Sequence, residues 1–370
     1  MKILIDCSNL QVGGGIQVAT SFINDLVKID VKINFVIILS AQMKNEFRRQ
    51  EFDHRFTFID ITHDEQISIL KRRSILKAAE QKYLPQKVFC VFGPSYYKSQ
   101  LSQTVGYAIP HYIYNESPYF ELLSLKERLR LFFLKKIQLF LFKKNSNQLI
   151  FETEDARDKF LDKNSFVTSD TFVVNNALNE IFYRKSHWSK MQLDIPKGQL
   201  SFLCLSANYA HKNLKIIPQV IDELISKHSF VNFRFYISVS KKEVGFSDEY
   251  DPFIIYLGRV PLAQVPSLYQ QMDILFFPTL LEVFSTTYLE AMYMGLPIVT
   301  TSMSFAKDIL GSAASYYSPT NAQAAADKLM TLSNNQIEYE KLKQAGFERM
   351  KMFGTSMDRT KKYLKIICGE

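Results

Sequence analysis

The 370-residue sequence has only four cysteines, Cys7, Cys90, Cys204 and Cys368, and no two of them form a Cys-x-x-Cys pair. That excludes the familiar zinc spacings and a thioredoxin-type dithiol, and leaves buried free thiols in a reducing compartment as the expectation. No apolar stretch reaches the ~18 uninterrupted residues that a spanning helix needs. The N-terminal run Ile3-Leu4-Ile5, held between Lys2 and Asp6, is too short for the apolar region of an export signal. A cytoplasmic chain, or one peripheral to a membrane, is therefore expected. Repeats and low-complexity tracts are also missing. With 47% hydrophobic and 22% charged residues, the composition rules out a disordered tail, a collagen-like rod and a coiled coil.

What remains is ordinary globular material, long enough for two domains. Lys and Arg number 45 against 37 Asp and Glu, a net charge of +8. A basic excess of that size fits nucleic acid, an anionic membrane or a phosphorylated small molecule about equally. No zinc-finger, RRM or helix-turn-helix pattern accompanies it, so nucleic acid is not an expected partner.

The chain opens with a strand over 2–6, the loop Ser8-Asn9-Leu10-Gln11-Val12-Gly13-Gly14-Gly15, and a helical pattern with Ile16, Ala19, Ile23 and Leu26 on one face. Strands are predicted at 34–39, 56–61, 88–92 and 148–151, alternating with helix-length polar segments. A second series follows, with strands at 200–206, 231–238, 253–257, 274–277 and 298–301. Its helices are predicted at 214–227, 262–271 and 285–294. Residues 179–198 read as a linker. Alternation of this kind predicts parallel sheets covered by helices, hence an α/β protein of two Rossmann-like domains facing a central cleft. The boundaries fall at 1–178, 179–354 and 355–370, the last being a helix that returns to the first domain.

Residues 271–301 carry the most chemistry. The run Ile274-Leu275-Phe276-Phe277 is a buried-strand pattern ended by Pro278 and Thr279. Glu282 then falls in a loop at the carboxyl end of that strand, where open α/β sheets bind ligands. A helix starts near Ser285 or Thr286, carries Glu290 in its second turn and stops at Gly295, with Pro297 beyond. The free amides of Phe284, Ser285, Thr286 and Thr287 offer a phosphate site. Two carboxylates and a phosphate cradle suit a sugar nucleotide, which presents hydroxyls and a diphosphate. Taken singly, each glutamate reads first as a solvated surface acid.

The segment Glu282-Val-Phe-Ser-Thr-Thr-Tyr-Leu-Glu290 resembles the Glu-x7-Glu signature of retaining glycosyltransferases of the GT-B fold, family 4. Tyr256-Leu-Gly-Arg-Val-Pro261, Leu268-Tyr-Gln-Gln-Met-Asp273 and Leu289-Glu-Ala-Met-Tyr-Met-Gly-Leu-Pro-Ile-Val299 are similar to further stretches of that family, over roughly residues 200–330. The resemblance implies roles residue by residue. Glu290 would hold the donor ribose, and Glu282 would contact the transferred sugar. Lys212 would offset charge on the leaving diphosphate. Gly258 and Arg259 would lie near the nucleobase. Gly14 and Gly15 would let backbone approach the donor phosphate, and His111 would stand beside the donor sugar. An Asp-x-Asp triad is missing, so no metal is implied. The expected substrate is a UDP- or GDP-linked sugar, UDP favoured, with no further cofactor. The acceptor would be a glycan or a lipid-linked saccharide, as in bacterial surface polysaccharide assembly. Two departures stand out. The family's arginine about five residues before Lys212 is absent, Ser206, Ala207 and Asn208 occupying that region, with Arg259 a possible substitute. Val283 replaces a common glycine, and a β-branched residue resists positive φ. A sugar-nucleotide epimerase or hydrolase on the same fold, or a non-catalytic partner subunit, are the alternatives.

One further stretch is unusual. Residues 125–144 carry Lys126, Arg128, Arg130, Lys135, Lys136, Lys143 and Lys144 against one acid, Glu127. Leu129, Phe132, Phe133, Ile137, Phe140 and Leu141 alternate with them at near-helical spacing. Two readings are open: a basic amphipathic helix on an anionic membrane surface, or an ordinary helix whose apolar stripe packs on the sheet.

Overall fold

Runs such as Asn34–Leu39 (NFVIIL) and Ile274–Phe277 (ILFF) have almost no polar face to show to water, so they belong in sheets covered on both sides, which are typically parallel. The computed structural model, which describes residues 1–11, 13–164 and 169–369, pairs its strands in that way. Val12 of the glycine loop lies outside the described residues.

The first sheet consists of β1 (Lys2–Cys7), β2 (Asn34–Leu39), β3 (Phe56–Asp60), β4 (Lys87–Cys90), β5 (Ser102–Tyr107), β6 (Gln148–Phe151) and β7 (Asp170–Val173). Its order is β3-β2-β1-β4-β5-β6-β7, with every pairing parallel. The second sheet holds β8 (Leu200–Cys204), β9 (Phe233–Ile237), β10 (Ile254–Tyr256), β11 (Ile274–Phe277), β12 (Ile298–Thr301) and β13 (Ser315–Tyr317). It runs β10-β9-β8-β11-β12-β13, again parallel throughout. In each sheet the strand order reverses once, between β1 and β4 and between β8 and β11. Loops at such switch points diverge and leave a crevice for ligands.

The chain divides into two units. One comprises Met1–Ile113, Leu125–Asn176 and Gly354–Glu370; the other comprises Tyr114–Ser124 and Ala177–Phe353. The Ser356–Cys368 helix packs in the first unit, where Tyr363 lies edge-on to Phe22 at 5.6 Å and close to Phe89 at 5.5 Å. Buried Arg359 ties it to Asn176 and Ser21. Two boundaries differ from expectation. Residues Tyr114–Ser124 belong to the second unit, not to a continuous 1–178 domain. There the Ser117 hydroxyl donates to Leu280 O (2.7 Å), Tyr114 packs against Phe305 and Tyr119 against His211. The expected linker is likewise part of the second unit's packing. Phe182 is fully buried against Tyr269 and Tyr293, and the Trp188 indole donates to Ile181 O at 2.7 Å.

Candidate active site

The loops after β8 and β11 leave the second sheet side by side, at its switch point. After β8 the chain makes a single 3-10 turn, Ala210–Lys212, closed by Asn213 in the left-handed region (φ 53°), a conformation that asparagine tolerates better than most residues. That turn presents Lys212. After β11, Pro278 stops the ladder and the backbone of 279–282 is held from several sides. Leu280 N donates to His211 O (2.7 Å), the Thr301 hydroxyl donates to Thr279 O (2.6 Å), and Ser117 donates to Leu280 O. This loop presents Glu282.

The two side chains form an ion pair, Lys212 Nζ to Glu282 Oε1. They are only 16% and 12% exposed, so the pair is largely shielded from water. Thr279 Oγ1 donates to the same Glu282 oxygen at 2.9 Å, and the Lys212 ammonium stands 4.9 Å from the centre of the Phe277 ring. An ammonium has three donors. One is engaged by Glu282, which leaves it able to hold a second anionic oxygen at the same time.

Immediately downstream, buried Val283 keeps out of the positive-φ region, and the Thr286–Met294 helix begins. Its N-cap, Ser285, is extended and makes no side-chain capping bond, so no hydroxyl from that residue closes the leading amides of the helix. Glu290 is buried one turn in. The Tyr269 hydroxyl donates to its Oε2 at 3.1 Å. Burial pushes the Glu290 carboxyl up to about 7, although the hydroxyls of Tyr269 and Thr286 pull the other way. The acid is thus poised to change charge near neutral pH. Gly295, at φ 74°, ends the helix in the left-handed conformation glycine accepts freely.

Residues 189–349, most of this second unit, match the family model described as "Glycosyl transferases group 1". That segment resembles a group 1 glycosyltransferase domain. No curated protein sequence matches it significantly. Solved structures align over the whole of both chains. They include sucrose-phosphate synthase from Thermosynechococcus elongatus (TM-score 0.76, 12% identity) and WaaG, a glycosyltransferase involved in lipopolysaccharide biosynthesis (0.72, 12%). Anabaena Alr3699/HepE, solved in complex with UDP and glucose, aligns equally fully (0.68, 13%). At these identities the likeness shows the fold, which is the GT-B fold of glycosyltransferases.

Within the matched segment the structure brings together Lys212 and Glu282, with Phe284, Ser285, Thr286 and Glu290 following in the same loop and helix. Gly258 and Arg259 follow β10, the edge strand. That strand lies two positions from β8, about 10 Å at ordinary sheet spacing. Gly258 has φ 63° and open space around an added Cβ, and Arg259 is exposed. The remaining candidates belong to the first unit. Gly13 caps and Gly14 opens the Gly14–Val27 helix at that unit's switch point, and a Cβ added to either meets nothing within 4 Å. Gly15 is closer packed, against Leu10 and Phe92. His111 sits in the Pro110–Tyr112 turn, where burial pushes its imidazole below the usual value and keeps it neutral at pH 7. Among the described residues, no three His, Cys, Asp or Glu side chains converge as a metal site, and no helix is long and apolar enough to cross a membrane. Sequence reading missed the roles of Tyr269, Thr279 and Ser117. Tyr269 lies in a stretch that resembles the family, but nothing local marks its hydroxyl as the partner of Glu290.

Proposed function

We propose that the chain is a retaining, metal-independent glycosyltransferase. It moves a hexose-type sugar from a nucleotide diphosphate donor, preferably UDP-linked, to a glycan or lipid-linked saccharide, as in bacterial surface polysaccharide assembly. The observation that carries this reading is the shielded Lys212–Glu282 pair at the β8/β11 switch point, directly before an uncapped helix start. A diphosphate is the ligand such a place suits. Its oxygens take the amides of Ser285 and Thr286 and a free donor of Lys212. The deprotonated Glu290 then accepts from the ribose diol.

When the glycosidic C–O bond breaks, its electron pair goes to the diphosphate, and Lys212 offsets the growing charge. Glu282, held by Lys212 and Thr279, faces the sugar near its anomeric carbon. The acceptor hydroxyl forms the new C–O bond on the face the diphosphate leaves, and its proton passes to the departing diphosphate oxygen. The complexes of Anabaena Alr3699/HepE with UDP and glucose and with UDP-glucose support a UDP-linked donor.

Calorimetry tests the reading most directly. UDP and UDP-glucose should bind, and GDP should bind more weakly. A folded protein that binds no nucleoside diphosphate would overturn the proposal.

A further inference from the structure

The Leu125–Asn145 helix is attached to its unit by one side only. Leu139, Phe142 and Asn145 are buried there, and Asn145 Nδ2 donates to Ser95 O at 2.8 Å. Gln138 accepts from the Tyr112 hydroxyl at 2.6 Å and donates to that of Tyr96 at 3.4 Å. At 100° per residue, the opposite side carries Leu125, Leu129, Phe132, Phe133, Ile137 and Phe140. These six range from 50% exposed (Phe132) to 78% (Leu125). A contiguous apolar ridge of this size facing water marks an interaction surface. The alternative that the stripe packs on the sheet is therefore overturned: of the sequence-derived stripe, only Leu141 is turned partly inward.

The charge on this side says what the surface meets. Lys126, Arg128, Arg130, Lys136, Lys143 and Lys144 are exposed around the ridge, and Glu127 is the helix's one acid. The Lys136 and Lys144 ammonium groups lie 4.5 and 5.5 Å from the rings of Phe132 and Phe140, so their stems run along the apolar side chains. Lys135 differs. It donates inward to Tyr112 O at 3.4 Å and is not part of this face. A neighbouring element repeats the pattern. Ile67, Ile69 and Leu70 are exposed beside Lys71 and Arg73 at the start of the Ile69–Tyr83 helix. Arg72 of that helix turns inward, 4.6 Å over the Tyr96 ring that Gln138 also touches. Tyr96 thus joins the two helices.

We infer that this face docks on an anionic lipid bilayer, with the Leu125–Asn145 helix lying in the interface plane. Its apolar side chains enter the acyl boundary and its lysines and arginines meet the anionic headgroups. A second copy of the chain would set like charges against each other, which disfavours self-pairing.

Sedimentation with vesicles tests this without reading any enzyme activity, so failure would leave the transfer proposal standing. The full chain should pellet with phosphatidylcholine vesicles carrying about 30% phosphatidylglycerol, and not with pure phosphatidylcholine. Binding should weaken from about 50 to about 500 mM salt. Replacing Lys126, Lys136, Lys143 and Lys144 with Gln should lower vesicle affinity several-hundredfold, at about fivefold per charge. Phe132→Ser/Phe133→Ser/Phe140→Ser should abolish it with little change in thermal stability, because these rings are exposed. Phe133→Trp should add blue-shifted emission on anionic vesicles. No pelleting at low salt, or equal binding to both vesicle types, would overturn the inference. So would concentration-dependent self-association that the triple serine variant removes, since the face would then be a protein interface.

Discussion

Glu290→Gln separates the cost of burying this carboxylate from its use. Burial raises its pKa from an ordinary 4.5 to about 7. A folded-state pKa above the unfolded one means that stability is greatest below about 4.5 and is lost as pH rises through about 7. The difference is about 2.5 units, and at 1.36 kcal/mol per unit the ionised carboxylate destabilises the fold by about 3 kcal/mol at pH 8. Gln removes the charge and keeps an oxygen for the Tyr269 hydroxyl. The variant should therefore melt above the wild type at pH 8, by roughly 6–12 °C for a domain of this size. The gap should close as pH falls toward 4.5. Thermal melts of both proteins from pH 4.5 to 8.5 measure it.

Nucleotide affinity should move the opposite way. If the ionised carboxylate accepts from the ribose diol, losing that charge should weaken UDP binding roughly 10- to 150-fold, from ~1.5–3 kcal/mol for a hydrogen bond to a charged group. Wild-type affinity should also decline below about pH 7, while that of Glu290→Gln stays flat. A variant no more stable than wild type at pH 8 would refute the buried-charge argument. Stabilisation with unchanged UDP affinity would keep the burial and remove the ribose role.

Tyr269→Phe deletes a donor to the ionised form of Glu290, so the midpoint of the UDP-affinity profile should rise by about one pH unit; an unmoved midpoint would refute that coupling. Lys212→Ala should reduce turnover roughly 100-fold, a far larger loss than in UDP affinity, and wild-type turnover should survive a chelator; full activity in the variant, or complete inhibition by EDTA, would contradict the mechanism. Ser117→Ala strips a buried partner from Leu280 O and should cost about 1 kcal/mol in urea unfolding, an effect that an unchanged midpoint would exclude.

The strands most legible in the sequence are those whose residues carry the whole signal. NFVIIL, QLIF and ILFF are branched or aromatic runs bounded by polar or turn residues, and their predicted limits coincide with β2, β6 and β11. The strand β5, SQTVGY, escaped because its signal lies outside itself. Thr104 donates to Gln148 across the ladder at 2.7 Å, and Gln103 accepts from Ser99 N at 3.2 Å, so polar side chains are anchored in a buried strand by partners outside it. Gly106 looks like a strand breaker, yet a Cβ there would sit 1.9 Å from Val91 O; the residue is glycine because backbone passes against it. The helix expected over 262–271 divides into a 3-10 turn, Leu262–Gln264, and a short α-helix, Val265–Tyr269. Pro266 is admitted in the first turn of that second piece, where its missing N–H costs nothing.

The candidate site shows the same division between local and assembled information. Glu282 and Glu290 can be read together because the loop and helix that carry them are continuous in sequence. Lys212 is 70 residues from Glu282, a distance bridged only once the second sheet places β8 next to β11, and Ser117 is 163 from Leu280, reached only because Tyr114–Ser124 packs into the second unit. Even where the sequence singles out Glu290, it withholds the property that matters. A glutamate in the second turn of a helix is by default a solvated carboxylate, ionised throughout the physiological range. Glu290 becomes an acid that titrates near pH 7 only because its helix packs it beside Tyr269, and Tyr269 comes from another helix whose own burial no local pattern fixes. The charge state of the site at neutral pH is therefore set by tertiary packing, and a substitution at Tyr269 should alter nucleotide binding without that side chain being assigned any contact with the nucleotide.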